Sequence, residues 1–472
     1  MKKNNLLKVI AITCLVFLVL TWIIPTGSYS NATYTKDSIT ALGVGDLFIY
    51  SFHSVYLSIA IISMVVILLI GGLYGVLNKT GAYQALVEKI VKRYNGKEKL
   101  FIVISILLFS ILTSLTSLIY PLFILVPLFI TVICLLGYNK FTAFLSTFGA
   151  ILVGRIGTTY GYNLDGYNYA NKFFGVDINS NILFKIILFV LTVGLLIFFT
   201  LKTSKLETKK SKVKNEKITL YEEKSSNKKT TALVVLLSIM MVFVIVAMFN
   251  WEGAFGIQLF NDIYSKVTSV SVAGRNIFAE LLGSINPIGY WSNYELSLVL
   301  ILNIFVIGKV YGLKLKEILE GFINGVKDIV GVAVIGFLAT ILSSVVFAQL
   351  YNISSSTMFP TIANKIFTVF GKNSFSLSLV TGFATLFFGD LPYVFNDLYT
   401  PVSAMYSNMG DAVFIIQSVF GFISLILPTS IVLLMGLRYS DISFGEWFKK
   451  AWKLLLGLLI CLLVAILLIV LI

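Results

Sequence analysis

The chain has 472 residues, of which 58% are apolar and only 12% are charged. Many of its apolar runs are long enough to cross a hydrocarbon core of about 30 Å, so the composition predicts an all-α polytopic membrane protein and excludes a soluble enzyme. The formal net charge of +14 is concentrated where cytoplasmic loops of a membrane protein are positive, and we expect no nucleic-acid partner.

No enzymatic or metal chemistry is indicated by the motifs. Cys14, Cys134 and Cys461 lie in separate apolar runs, a pattern that suggests neither a disulfide nor a metal cluster. The sequence also has no phosphate-binding loop and no His-Glu-x-x-His pair. We therefore expect no enzyme activity, no catalytic residue, no metal and no cofactor, apart from a coupling sodium ion or proton that the residues do not distinguish.

The first two spans follow from apolar runs near the start of the chain. Lysines precede the first run, which is long for a signal peptide and lacks a closely following Ala-x-Ala site, so we predict an uncleaved helix over 9–24. A second helix is predicted over 54–77. Between Asn78 and Lys99 the spacing of apolar and basic residues predicts an amphipathic helix on the cytoplasmic surface.

Two interrupted segments come next. The apolar block 100–136 is flanked by lysines at both ends and is interrupted by Thr113-Ser114-Leu115-Thr116-Ser117. Two half-length helices that meet at this polar tip would form a re-entrant hairpin entered from the cytoplasm. The following span, 141–160, is interrupted near Gly157-Thr158-Thr159, and a helix over 181–200 returns to the cytoplasm.

A lysine-rich stretch separates the two halves of the chain. Between residues 202 and 229 there are ten lysines and four glutamates, which predicts a cytoplasmic linker over 201–230. The segment 231–249 is then an extra helix that inverts the second half, and 250–294 is an external loop. The predicted elements of the second half are helices over 295–310 and 330–350, a surface helix over 358–370, an interrupted block over 373–408, a span over 412–436 broken at Pro428-Thr429-Ser430, and a last helix over 452–472.

The same order of elements occurs in both halves, so we predict an inverted-topology repeat. The first repeat covers 1–200 and the second 295–472, with about nine full spans and two re-entrant hairpins in all. The amino terminus is expected in the cytoplasm and the carboxyl terminus outside, in the plasma membrane of a bacterium. In transporters built this way, two hairpin tips and two interrupted helices hold the substrate near the midplane.

These four segments supply the candidate site. Backbone groups freed at such breaks are tolerated at membrane depth only where protein buries them or a wet cavity receives them. The candidate substrate-binding residues are Ser114, Thr116, Gly157, Thr158, Thr159, Asn163, Gly389, Asp390, Pro428, Thr429 and Ser430. Tyr160, Tyr162, Tyr167, Tyr169 and Tyr393 are either a cation-binding vestibule or ordinary interfacial tyrosines.

Charge at the second hairpin tip favours a cationic solute. An ionisable residue within the membrane normally has a partner or a task, and Asp390 would attract a cation and repel a dicarboxylate. The amino ends of the half-helices would suit a substrate carboxylate. Arg155, Asp165 and Asp397 are candidate charge partners, and Arg155 either pairs structurally with Asp390 or binds a carboxylate.

Three blocks of sequence carry a resemblance to a known family. They are 71–82, beginning Gly71-Gly72-Leu-Tyr-Gly75, then 321–336, and Leu427-Pro428-Thr429-Ser430 with Gly445-Glu446-Trp447. The chain resembles the YfcC-type carriers, which belong with the C4-dicarboxylate anaerobic carriers of the ion transporter superfamily. The resemblance implies a carrier of dicarboxylates or an antiporter of basic amino acids, and a homodimer. The chain departs from the family pattern at 388–393 and at 157–163.

We therefore expect a secondary active transporter that exchanges basic amino acids, such as arginine, ornithine or lysine, by alternating access. Its partners would be a small-molecule substrate and the lipid bilayer. A C4-dicarboxylate transporter is the alternative, and a transporter-like receptor without transport is another.

Overall fold

The fold is a bundle of apolar helices. The computed structural model describes residues 5–30, 33–46, 49, 55–161, 163–164, 167–204, 220–223, 226, 228–352, 356–403, 406 and 408–471. Within these residues, eight helices are long and apolar enough to cross a membrane, and four shorter apolar helices lie among them. The prediction of an all-α polytopic membrane protein is confirmed.

The first half contains eight helices and two small antiparallel strand pairs among its described residues. The helices are α1 Leu6–Ile23, α2 Val55–Thr80, α3 Ala82–Tyr94, α4 Glu98–Thr116, α5 Ile119–Leu135, α6 Lys140–Gly154, α7 Tyr169–Phe174 and α8 Ile182–Thr203. The strands are β1 Gly27–Ser30 with β2 Thr33–Lys36, where Ser28 is opposite Thr35, and β3 Asn163–Leu164 with β4 Tyr167–Asn168, where Asn163 is opposite Asn168.

The second half repeats the order of elements after an additional helix and a long loop. Its helices are α9 Thr231–Met248, α10 Trp251–Phe255, α11 Leu259–Thr268, α12 Ile277–Leu282, α13 Asn293–Val310, α14 Leu315–Asn352, α15 Phe359–Phe370, α16 Ser374–Phe388, α17 Leu391–Ser403, α18 Met409–Ile423, α19 Ile431–Tyr439 and α20 Phe444–Leu471. In each half a long helix, a short helix, a helical hairpin, a broken helix and a final helix follow one another. The inversion across a membrane stays a prediction.

Several elements differ from the sequence expectations, and three of these differences bear on the site. The arms of the first hairpin have 19 and 17 residues, or about 28 and 26 Å, so they are longer than half-length helices. Helix α6 ends at Gly154 instead of continuing to 160, because the amides of Arg155 and Ile156 bond to carbonyls three residues back. Helix α14 begins at Leu315, well before 330, because Glu317 accepts a hydrogen bond from the Lys314 amide and caps its first turn.

The two halves meet where α2 crosses α14. Gly71 and Gly75 on α2 face Gly321 and Gly325 on α14, and a methyl group added to Gly325 would overlap the carbonyl oxygen of Gly71. Small residues allow transmembrane helices to approach closely, where dispersion forces hold them together. These equivalent helices of the two halves therefore form a tight central pair, here called the scaffold pair.

The last part of the linker is attached to the first half. The backbone of residues 220–223, here called the anchor, receives hydrogen bonds from Asn78 Nδ2 to Leu220 O (3.2 Å) and from Gln84 Nε2 to Glu222 O (3.2 Å). The Tyr221 ring packs edge-on against Tyr83, with ring centroids 5.8 Å apart. Burial, together with two nearby glutamates, raises the pKa of the Tyr221 phenol, so it stays neutral at physiological pH.

Candidate functional site

A cavity of about 310 Å³ lies between the two hairpin tips and the scaffold pair. The first hairpin contributes the turn Ser117–Pro121, and the second contributes Gly389, Asp390, Pro392 and Tyr393. The other lining residues are Ile59, Ile62, Ser63, Arg155, Tyr169, Met248, Ser292, Asn293, Tyr294, Thr340, Ile431 and Val432. The structure therefore brings both tips and one end of each broken helix to the same space.

The first hairpin turns at Ser117. Its φ of 53° is left-handed, and its amide bonds to Thr113 O, which ends α4. The Thr116 hydroxyl bonds back to Leu112 O and accepts the Leu118 amide at 3.2 Å, so Thr116 shapes the turn and does not line the cavity. The Ser117 hydroxyl is buried and has no hydrogen-bond partner within the described part of the chain.

Ser114 joins the first hairpin to the first break. Its hydroxyl donates to Gly157 O at 2.7 Å, and its carbonyl accepts the amides of Thr159 and Gly161, each at 3.0 Å. The Thr158 hydroxyl donates to Arg155 O at 2.8 Å. These groups form hydrogen bonds within the protein and do not line the cavity; they connect the first hairpin to the residues around Arg155.

Arg155 and Asp390 face each other across the cavity wall. Arg155 Nη2 lies 3.7 Å from Asp390 Oδ1, which also accepts the Leu391 amide at the start of α17. The Arg155 side chain is only 4% exposed and lies over the Phe420 ring, with Cζ 4.9 Å from the centroid. Asp390 is 50% exposed, so a solute in the cavity can reach its carboxylate.

The second break presents a helix amino end to the cavity. The Ser430 hydroxyl accepts the Leu433 amide and caps α19, whose first residues Ile431 and Val432 line the cavity. The partial positive charge of such an end attracts an anion. Thr429 is fully buried, and its hydroxyl has no hydrogen-bond partner in the part that the structure describes; neither Thr429 nor Pro428 lines the cavity.

The remaining candidate residues are placed apart from the cavity or outside the described residues. Asp397 lies on α17, seven residues after Asp390, and does not line the cavity. Asn163 is in β3, but its side chain is outside the described residues, as is the whole of Asp165. Among the described residues, no group of His, Cys, Asp and Glu side chains is arranged to hold a metal ion.

Spans without breaks form a wall of the cavity that was not predicted from the sequence. Ser63 on α2, Thr340 on α14, and Asn293 with Tyr294 at the start of α13 all line the cavity. Ser63 and Thr340 are hydroxyl residues in apolar spans, and such residues are too common in membrane helices to identify a site. Tyr169 and Tyr393, from the tyrosine set, also line it.

Comparisons with known proteins give a family and a solved structure to which the chain is similar. A family model described as DcuC, C4-dicarboxylate anaerobic carrier, matches residues 4–471. The crystal structure of the YdaH transporter of Alcanivorax borkumensis is similar over 99% of this chain and 98% of that chain, with 16% sequence identity and a TM-score of 0.41. No curated protein matches the chain.

Proposed function

We propose, from the premise that the chain belongs to the C4-dicarboxylate anaerobic carrier family and is therefore a secondary carrier, that its substrate is an amino acid. The carrier would exchange this substrate across the plasma membrane of a bacterium by alternating access. The observation that carries the proposal is a cation and an anion side by side on one cavity, Arg155 and Asp390.

The geometry of this pair suits a ligand that has both charges. At 3.7 Å, the Arg155–Asp390 contact is longer than the roughly 2.9 Å of a well-formed N–H···O hydrogen bond. An α-amino acid could place its carboxylate near Arg155 and the amino end of α19, and its ammonium group near Asp390. The carboxylate of such a ligand would take the place of Asp390 beside Arg155, and its ammonium group would take the place of Arg155 beside Asp390. Each charged side chain would therefore still have an opposite charge next to it when the ligand is bound.

The cavity wall favours a basic side chain on that amino acid. Tyr120, Tyr169, Tyr294 and Tyr393 line the cavity from four different elements. A cation held against a tyrosine ring gains about 0.5 to 2 kcal/mol, depending on how far it is desolvated. Arginine, ornithine and lysine are therefore the proposed substrates.

A C4-dicarboxylate is the second candidate, favoured by the description of the family. In this case Asp390 would stay paired with Arg155, and the amino ends of α5 and α19, whose first residues line the cavity, would attract the two carboxylates. The two candidates differ in whether Asp390 contacts the substrate.

Transport would require the cavity to open to each side in turn. The hairpins and broken helices supply one wall, and the scaffold pair with the start of α13 supplies the other. In carriers with repeated halves, one such bundle rocks against the other around a fixed site. We propose that the hairpins, α6, α18 and α19 move together against the scaffold pair.

The test is counterflow in proteoliposomes. Vesicles loaded with unlabelled ornithine, arginine, succinate or fumarate would be diluted into the matching labelled solute, with and without sodium. We expect transient accumulation with ornithine and arginine, and no inhibition by putrescine, which has the two amines of ornithine but no carboxylate. Accumulation only with the dicarboxylates would support the second candidate. If none of the four solutes accumulates, a transporter-like receptor would be favoured.

A further inference from the structure

A second carboxylate lies inside the same hairpin, away from the cavity. Asp397 is in the middle of α17, and its Oδ2 atom is buried without a hydrogen-bond partner among the described residues. The amide of the adjacent Asn396 is the polar side chain that interacts with its carboxyl. No described basic residue forms an ion pair with Asp397.

Among the described residues, the elements that pack most extensively on α17 bring no counter-charge to Asp397. These elements are α7, α16, α18 and β1, and α16 has no ionisable residue. Lys172 of α7 lies over the Phe173 ring, with Nζ 5.8 Å from the centroid, and the Asp411 carboxylate of α18 accepts hydrogen bonds from Asn181 and Asn408. The other ionisable groups on these elements and on α17 itself are Tyr29, Tyr169, Tyr393 and Tyr399, and Asp390 directly precedes α17.

The position of Asp397 relates it to the substrate cavity without placing it there. Seven residues separate it from Asp390, which is about 10 Å along the helix axis and nearly two full turns, so both lie on one side of α17. A charged carboxylate without a partner in a membrane domain is costly and normally has a task. A proton is the one ligand that can neutralise this group without a cavity.

We infer that Asp397 is a proton-binding site through which the carrier, in addition to exchanging substrate, couples net substrate uptake to a proton gradient. Asp397 Oδ2 binds a proton from the outer solution while the site faces outward, and an O–H bond forms. After the hairpins, α6, α18 and α19 have moved, that bond breaks and the proton is released inside. No electron is transferred. Because the proton and the substrate would occupy separate sites, the carrier can hold both at once, and we infer that it carries both in the same direction.

The test rests on the proposed function, and it separates the two. Counterflow of labelled ornithine at equal pH on both sides measures carrier activity alone. Net uptake of ornithine into vesicles without internal substrate, with the outside at pH 6 and the inside at pH 8, measures proton coupling. We expect the counterflow rate of Asp397→Asn to stay within about twofold of the wild-type rate, and its rate of pH-driven uptake to fall at least tenfold.

Two further variants control for folding. Asp397→Glu keeps an ionisable carboxyl and should recover part of the pH-driven uptake, whereas Asp411→Asn, outside the proposed site, should leave both assays unchanged. Wild-type protein without counterflow for any solute would overturn the proposed function. Three results would overturn the proton site. The first is wild-type counterflow without pH-driven uptake, and the second is pH-driven uptake by Asp397→Asn. The third is loss of both activities in Asp397→Asn and Asp397→Glu alike.

Discussion

At the scale of single residues, the Arg155–Asp390 pair is the centre of the proposed site. The sequence left open whether Arg155 pairs with Asp390 or binds a carboxylate, and the structure shows the pair at 3.7 Å. It also shows that the Asp390 side chain is half exposed, whereas the Arg155 side chain is almost fully buried. The pair leaves the cavity wall formally neutral, so the charge of Asp390 by itself is a weaker guide to the substrate than the sequence suggested.

Asp390→Asn should reduce the rate of counterflow at least tenfold, while the protein still inserts in the membrane. The substitution leaves the guanidinium of Arg155 without its carboxylate; for fully buried pairs this costs about 3–5 kcal/mol, and the half-exposed carboxylate reduces that figure. Counterflow and thermal unfolding in detergent would be measured on the same preparation.

A double variant separates a structural pair from a substrate site. In Arg155→Gln/Asp390→Asn neither charge is left alone, so stability should return towards that of the wild type, but transport should stay lost because both groups contact the substrate. Recovery of transport by the double variant would show that the pair is structural only. Glu446→Gln, which breaks an exposed pair with Lys450 at 2.7 Å, is the control and should have little effect.

At the scale of elements, the breaks were predictable and their contacts were not. Pro428 marks a break because a proline removes a backbone donor, and the structure has non-helical residues between α18 and α19 there. Nothing in the sequence indicates that Ser114 joins the first hairpin to residues 157–161, since that contact spans 43 positions or more. Several predicted substrate ligands, among them Ser114 and Thr158, instead form hydrogen bonds within the protein near Arg155.

The scaffold pair gives a prediction about packing. Gly325→Ala should lower the free energy of unfolding by at least about 2 kcal/mol, because the added methyl overlaps the Gly71 carbonyl and the helices must separate. Gly194→Ala, in α8 with open space around it, is the matched control and should be neutral or stabilising. Thermal unfolding in detergent would measure both, and equal stability of the two variants would contradict the close crossing.

The anchor gives a prediction about the linker. Tyr221→Ala removes the ring contact with Tyr83 and should lower stability by about 1–3 kcal/mol. Lys209, Lys210 and Lys212, which lie outside the described residues, should tolerate replacement by Gln with little change in transport or stability. Thermal unfolding and counterflow would compare the two variants; a larger effect of the lysine replacements would assign the lysine-rich stretch a regulatory or assembly role.

At the scale of the whole molecule, orientation follows from charge. The lysine-rich linker predicts that the start of α14 lies in the cytoplasm and that the 250–294 loop lies outside. In a cysteine-free background, Ser265→Cys on α11 should react with a membrane-impermeant maleimide in intact cells, and Lys316→Cys on α14 only after the membrane is opened. Both positions are exposed, so access alone decides the result. The opposite pattern would reverse the proposed topology; the predicted homodimer is a separate matter for cross-linking.

The sequence by itself determined the class of protein and the order of its elements. Apolar run length, lysine placement and helix-breaking residues act locally, and these local signals were sufficient for the spans, the surface helices and the two breaks. They also identified Asp390, because a charge within an apolar block is conspicuous.

Only the tertiary structure decided which of these residues share a cavity. Ser63, Thr340 and Tyr294 reach the site from three spans without any break, and Ser114 and Thr158 are turned away from it by hydrogen bonds. Such contacts depend on how helices far apart in the chain cross, above all at the glycines of the scaffold pair. The angle and distance at which two helices cross depend on both packed surfaces, so the sequence of one helix does not determine them.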